Sequence, residues 1–323
     1  MVLLLLDGRP LSVGALAVLA LIVLTVCAVG NYGYAVNELF DVQEDARLGR
    51  VNAAATLGPR RVWWIVASSA LCAELFAGCV AGARGAFVTV LALALPLAYS
   101  APPLRVKERK WLGVCADALA AHVYPALMAL LAVTHWTLRP VSTVLGACII
   151  IWSAAAGVRG ILSHQLHTAD QDRNAGLTTV VHDLGHSSVE RFIIAVLLPL
   201  EVVAFGGALL ACNGGVVLWC SVAAYLIYEI FKTSSGRFRV TVFRPQGQRY
   251  LPFVEEIFYK AWGPIVLALD AARADFRYVF VMAAYVLLFR PHLRAEMHRL
   301  RSVIAALRVT AATDSCARSN GES

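Results

Sequence analysis

Charge is scarce in this chain. Asp, Glu, Lys and Arg make up 15% of its 323 residues, against roughly 25% in a soluble domain. Hydrophobic residues reach 59% and the mean hydropathy is +0.68. One soluble core cannot hide that much apolar surface, so the lipid bilayer is the expected solvent. Other features are missing as well. The eight cysteines show no CxxC or other metal-ligand spacing, and most lie in or near apolar runs, where cysteine is a small hydrophobe. That gives disulfides and a zinc site little weight. There is no period-2 alternation of the kind a β-barrel strand requires. Nor is there a convincing internal repeat with interrupted helices in matching positions, which argues against a secondary transporter.

What the sequence does have is a series of long apolar runs. A helix needs ~20 mainly apolar residues to cross a ~30 Å hydrocarbon layer. Spans are expected near 11–36, 61–82, 86–100, 113–134, 141–165, 190–212, 215–232 and 276–290. A ninth, near 252–270, carries Glu255, Glu256 and Lys260 in its first half. Backbone groups in lipid must be satisfied within the segment. The fold class is therefore all-α, a multi-spanning transmembrane bundle of about eight to nine helices.

The formal net charge is +7, which raises a nucleic-acid reading that the placement of the basic residues answers. Arg47, Arg50, Arg60 and Arg61 follow the first span; Arg105, Lys107, Arg109 and Lys110 follow the third. Arg173 follows the fifth, and Lys232, Arg237, Arg239, Arg244 and Arg249 follow the seventh. With alternating spans these loops share one face, and the opposite loops carry little beyond Arg84 and Arg139. That is the positive-inside pattern, which puts the rich loops in the cytoplasm. Residues 1–10 read as a remnant of a first helix or a leader, without the basic start and cleavage site of a signal peptide. The main membrane domain covers 11–290. Residues 291–323, with Arg294, Arg299, Arg301 and Arg308, read as a basic cytoplasmic tail whose end is disordered.

Three polar groups interrupt this apolar background on the same expected face. Asn37, Asp41 and Asp45 are spaced i, i+4, i+8 where the first span ends, so they line one helical stripe. Their hard oxygens suit magnesium, which is commonly held by one or two carboxylates plus substrate phosphates. The ordinary alternative is an acidic, solvated helix end, which explains one or two acids better than a regular stripe. The second group is the Tyr99-Ser100-Ala101-Pro102-Pro103 exit, whose prolines stop the helix, followed by Arg105 and Lys107 as phosphate partners. Plain positive-inside charge is the competing account. The third runs from Ser163, His164 and Gln165 to Thr168, Asp170, Asp172, Arg173 and Gly176. If the helix continues there, Asp170 points about 200° away from Asp172; if it unwinds, both reach one metal. Asp117, His122, Arg159, Glu201 and Glu229 lie inside expected spans, where ionisable groups usually face partners or a polar cavity.

Two acidic motifs separated by Tyr-Ser-x-Pro-Pro-x-Arg-x-Lys resemble the UbiA superfamily of intramembrane prenyltransferases. Its first motif, NDxxDxxxD, is matched from Asn37 to Asp45 with Glu38 in place of the first Asp, and Arg47, Gly49, Arg50 and Asn52 resemble the tail that follows it. Its second, DxxxD followed by Arg, Gly and Thr, is matched by Asp172, Arg173, Gly176 and Thr178 or Thr179. Thr168 stands where the first Asp is expected. The resemblance covers about 11–290. In the family a nine-helix bundle begins one helix before the first motif; here that helix is nearly absent and the 252–270 span is an addition.

The resemblance implies magnesium-dependent transfer of a prenyl group from an isoprenoid diphosphate to a small aromatic or lipidic acceptor. Asn37, Asp41, Asp45 and Asp172 would hold metal, with Asp170 substituting for the carboxylate missing at Thr168. Arg105, Lys107 and Asp172 would be catalytic, and Asn37, Arg105, Lys107, His164, Gln165 and Arg173 would contact substrate. The expected partners are the donor, the acceptor and membrane lipid, with no nucleic acid. Alternatives are a terpene cyclase using the same ionisation, a membrane transporter, and an inactive family member.

Overall fold

The computed structural model describes residues 11–174, 176–212, 215–234, 239–241, 250–252, 261–295, 297, 298 and 301. These fall into two compact units, the first holding the described residues from 12 to 212 and the second those from 215 to 301 together with Leu11. The remnant or leader at 1–10 and the end of the basic tail lie outside the described residues.

In the first unit, α1 (Val13–Phe40) starts where the Ser12 side chain accepts from the Ala15 N–H at 3.1 Å, a side-chain N-cap. It outruns the expected span by one turn and ends at Asp41, which begins α2 (Val42–Arg47). Next come α3 (Ala53–Leu57), capped by Asn52, and α4 (Pro59–Ser100). The long α4 is two helices joined at Gly82, whose φ of 61° and ψ of −156° are not helical. This break matches the division expected between 61–82 and 86–100. A side chain there would need the left-handed region and would sit 3.1 Å from the His135 ring, so glycine is suited to the joint.

Then follow α5 (Trp111–Thr137) and α6 (Thr143–Asn174). After α7 (Val180–Leu184) the unit closes with α8 (His186–Ala211). Helix α5 contains a π-type turn over Leu119–Val123, and α8 another over Ile193–Leu197. Among the described residues five helices, α1, α4, α5, α6 and α8, are long and apolar enough to cross a membrane. Because α4 is broken at Gly82, its two arms count separately. The chain is a multi-spanning helical bundle of the expected class.

The packing is that of a membrane protein. Only 28% of the most apolar stretch of α1 is buried, and Val23, Leu24, Leu71, Leu75, Phe87 and Leu91 point outward, where lipid rather than water meets them. Inside, Ala73, Ala77 and Ala81 repeat every four residues along α4 and join Val18, Ile22, Tyr124 and Met128 in one cluster. Small residues let backbones approach, which is how helices associate where lipid offers no hydrophobic driving force.

The second unit holds α9 (Val216–Ser234), two three-residue strands β1 (Arg239–Thr241) and β2 (Tyr250–Pro252) paired in parallel, α10 (Gly263–Ala274) and α11 (Tyr278–Leu288). The 12 residues of α10 and the 11 of α11 rise only about 16–18 Å at ~1.5 Å each. The expected 252–270 span thus has its described part in a short helix; Glu255, Glu256 and Lys260 lie outside the described residues. Within this unit Tyr225 donates to Glu229 at 2.8 Å, and the Trp262 indole donates to the Ser221 carbonyl at 3.2 Å.

Candidate active site

The C-terminal ends of α1, α4 and α6 supply the three polar groups. The Asn37–Asp41–Asp45 stripe bends at Asp41, whose φ and ψ of −102° and 4° end α1. The backbone ladder nevertheless runs through the bend: the Asp41 N–H donates to the Asn37 carbonyl at 2.9 Å, and the Asp45 N–H to the Asp41 carbonyl at 2.8 Å. The stripe therefore survives, tilted at its middle residue.

Each of its members is held from another segment. Ser100, 1% exposed at the end of α4, donates to the Asn37 amide oxygen at 3.0 Å. Asn52 donates to Asp45 Oδ2 at 2.8 Å and to the Glu38 carbonyl at 3.0 Å, while its own oxygen caps α3 by accepting from the Ala55 N–H. Glu38, which replaces the family's first Asp, accepts from the Ala53 N–H. A carboxylate longer by one methylene here serves to pin the α2–α3 connection.

Arg105 and Lys107 fold directly over the stripe. Lys107 Nζ lies 2.6 Å from Asp41 Oδ1 and 2.9 Å from Glu44 Oε2; Arg105 reaches Glu44 at 2.7 Å and Asp41 at 3.7 Å. Arg105 also donates to Glu108, and its backbone takes the left-handed region with φ of 37°, a conformation that persists in a non-glycine residue only where surroundings hold it. Burial pushes the Asp41 carboxyl above its ordinary value, with the Lys107 hydrogen bond and charge pulling against it. Burial draws the Arg105 guanidinium down, and the Glu108 hydrogen bond and charge more than reverse this. The site is thus a compact set of opposite charges around a buried carboxylate.

The second motif is helical throughout. Helix α6 runs to Asn174 and closes where the Gly176 N–H meets the Arg173 carbonyl at 3.0 Å, with Gly176 at φ of 72°. The continuous helix turns Asp170, exposed, about 200° away from Asp172, so the two do not share a helix face. Thr168 donates to Asp172 Oδ2 at 2.8 Å. Arg173 is exposed at the end of the helix, His164 is exposed two turns before Asp172, and Gln165 is half-buried with its amide oxygen enclosed and unpartnered among the described residues.

The two motifs meet around Tyr99. Its phenol lies within electrostatic reach of Asp117, Asp41, Asp172 and Glu44. The segment after α6 closes the far side: Thr178 donates to the Glu108 carbonyl at 3.3 Å, and Lys110 pairs with Asp183 at 2.5 Å. A cavity of about 610 Å³ opens here, lined by Phe40, Glu44, Arg47, Arg105, Gly176 and Thr178 among others. Sequence reasoning had the motifs and missed Glu44, Ser100 and Glu108 as their anchors. Glu44 sits three residues after Asp41 and Glu108 three after Arg105, the available signals; Ser100 is a tertiary partner.

Magnesium can be tested against this donor set. Among the described residues no three or more His, Cys, Asp or Glu side chains converge as a cage. Asp41 is nevertheless a buried carboxylate that already has cations drawn against it. That fits a hard cation completed by phosphate oxygens.

Sequence comparison places residues 2–239 within the model of the UbiA prenyltransferase family; the chain belongs to this family. No curated protein matches the chain. Two solved structures share the fold. A UbiA homolog from Archaeoglobus fulgidus bound to DMAPP and Mg2+ aligns with a TM-score of 0.57 at 20% identity, covering 87% of this chain and 94% of that one. The structure of a UbiA homolog from Archaeoglobus fulgidus bound to GPP and Mg2+ gives 0.57 at 18% identity, covering 82% and 88%.

Proposed function

We propose that this chain is a magnesium-dependent prenyltransferase acting on an isoprenoid diphosphate and a small aromatic or lipidic acceptor, with its site at the cytoplasmic face. The observation that carries this reading is the lid of Arg105 and Lys107 closed on Asp41 and Glu44. Cations packed on carboxylates beside a cavity are an arrangement into which a metal–diphosphate group can insert, each partner exchanging a neighbour of one charge for another. Basic loops on one face support the cytoplasmic assignment.

Asn37, Asp41, Asp45 and Asp172 would hold magnesium together with the diphosphate, Asp170 being set apart by the helix. When bound, the metal supplies Lewis-acid stabilisation of the leaving pyrophosphate. Arg105 and Lys107 bind the diphosphate oxygens and neutralise the charge that grows as the allylic C–O bond breaks. Arg173 would contact the donor head, and His164 and Gln165, one to two turns deeper, would contact the reacting end. Ser100 and Asn52 orient Asn37 and Asp45. The apolar walls of the bundle exclude water from the cation.

The test is a screen of C10 to C50 diphosphates with lipid extracts as acceptor, products read by mass spectrometry with and without magnesium. Prenylated acceptor that depends on both is expected. Cyclic hydrocarbons formed without acceptor would instead establish a terpene cyclase.

A further inference from the structure

Five of the ionisable side chains in the described spans concern the region below the diphosphate motifs: Asp117 and His122 on α5, Arg159 and His164 on α6, and Glu201 on α8. Each is costly in hydrocarbon, roughly 2.5–3.5 kcal/mol for Arg or Asp at a helix centre on insertion scales, so each needs a partner or a polar cavity. Two of them satisfy each other. Arg159 grips Glu201 through two nitrogens at 2.5 and 3.1 Å, and Glu201 is 2% exposed. The two charges of that pair offset each other.

The other three have no such arrangement. Among the described residues none hydrogen-bonds to the side chain of Asp117, His122 or His164, although both histidines act electrostatically on Asp117. His122 and His164 are exposed and Asp117 is half-buried. His122 sits in the π-type turn of α5, where the extra residue re-aims side chains. It is pressed against α6: a Cβ on Gly157 would lie 3.0 Å from its Cβ, and one on Gly160 3.8 Å from its Nε2. Gly160, His164, Thr168 and Asp172 follow each other at four-residue steps along α6. His164 is therefore ~6 Å and ~12 Å along the axis from Thr168 and Asp172. The enclosed and unpartnered oxygens of Ser163 and Gln165 flank it.

A half-buried carboxylate on which two imidazoles act lies one to two turns deeper than the diphosphate motif, on the side toward which a donor's prenyl end would extend. We infer that Asp117, with His122 and His164, binds the hydroxyl of an uncharged acceptor and takes its proton. In the step, the donor C1–O bond breaks and its electron pair leaves with pyrophosphate. A lone pair of the acceptor oxygen forms the new C–O bond to C1, and the hydroxyl proton passes to the Asp117 carboxylate. The acceptor is uncharged because the cation nearby, Arg159, is already engaged by Glu201. This inference rests on the prenyltransferase reading.

The experiment uses the full chain in lipid nanodiscs with magnesium and geranyl diphosphate. The probes are 4-propylphenol and 1-decanol, each with its methyl ether as control, and products are read by mass spectrometry. Binding of Mn2+ with inorganic pyrophosphate is measured in parallel. Wild type is expected to form a geranyl ether from a hydroxyl probe and none from a methyl ether. D117N and H122F are expected to lower that product at least ~100-fold, the lower range for a general base, with pyrophosphate binding within about threefold. D117E should recover part of the rate. Unchanged transfer by D117N overturns the inference, as does an equal loss of pyrophosphate binding, and so does pyrophosphate release by wild type without ether from either hydroxyl probe. A wild-type chain that binds no Mn2+–pyrophosphate instead sinks the prenyltransferase reading itself.

Discussion

Lys107 Nζ rests 2.6 Å from Asp41 Oδ1 across two segments 66 residues apart in sequence. Both side chains are largely enclosed, 12% and 9% exposed, so neither has water as a ready substitute for the other. Removing the cation leaves the carboxylate buried without it, which costs about 3–5 kcal/mol, and residual exposure places this change toward the lower end. K107M is expected to lower the melting temperature in detergent by several degrees. Magnesium with pyrophosphate should restore part of it by supplying positive charge at the same carboxylate, while prenyl transfer falls at least ~100-fold. Differential scanning fluorimetry with and without those ligands checks the first outcome; an unchanged melting temperature would refute it.

Asp41 carries a pH signature of its own. Burial raises its carboxyl above the ordinary value of 3.8, with Lys107 opposing. A carboxyl raised in the folded state favours folding when protonated, so its contribution is fully present below pH 3.8 and is lost as pH rises through the raised value. At neutral pH the metal-free protein therefore bears the cost of a buried carboxylate. D41N should melt higher than wild type at pH 7 without magnesium, the gap narrowing as pH falls. It should also abolish the stabilisation by magnesium with pyrophosphate.

Asn52 performs two tasks with one side chain, holding Asp45 through its nitrogen and capping α3 through its oxygen. Loss of an N-cap costs about 1 kcal/mol. N52A is thus expected to be mildly less stable but far poorer in metal affinity, at least ~10-fold. N52D should keep the cap and still lose affinity, because it turns a donor to Asp45 into a like charge. Titration of Mn2+ with pyrophosphate separates the two roles.

Arg159 and Glu201 sit where their pairing can be measured by a double-mutant cycle. Either single change, R159L or E201L, leaves one charge in the bundle and should destabilise by about 3–5 kcal/mol. The double change should recover most of this. Equal additive losses would mean that each residue acts through other partners.

Much of the site was legible before any coordinates. Four-residue spacing sets Asn37, Asp41 and Asp45 on one stripe because an α-helix turns every ~3.6 residues, and the bend at Asp41 leaves that ladder intact. Gly176 marked the end of the second motif's helix, and the division near Gly82 followed from two apolar runs too long to be one span. The fate of Asp170 was not legible. It depended on whether α6 unwinds before Asp172, and helical and unwound courses are both compatible with that polar sequence.

Partnership was the other hidden layer. Ser100 with Asn37, Asn52 with Asp45, and Arg105 with Glu44 have no signature in spacing, since they join residues that only the fold brings together. The same holds for Asp117, His122 and His164, whose side chains have no hydrogen bond among the described residues: the sequence showed ionisable groups in apolar spans, not which of them are paired.

The sequence by itself determined the solvent, the class and the order of motifs, because hydropathy and helical periodicity are local properties read directly from residue types. Only the tertiary structure decided that Lys107 neutralises Asp41, that the second motif stays helical past Asp170, and that Arg159 is spent on Glu201. Those outcomes depend on distances of a few ångströms between helix ends, and such distances arise from packing of the whole bundle.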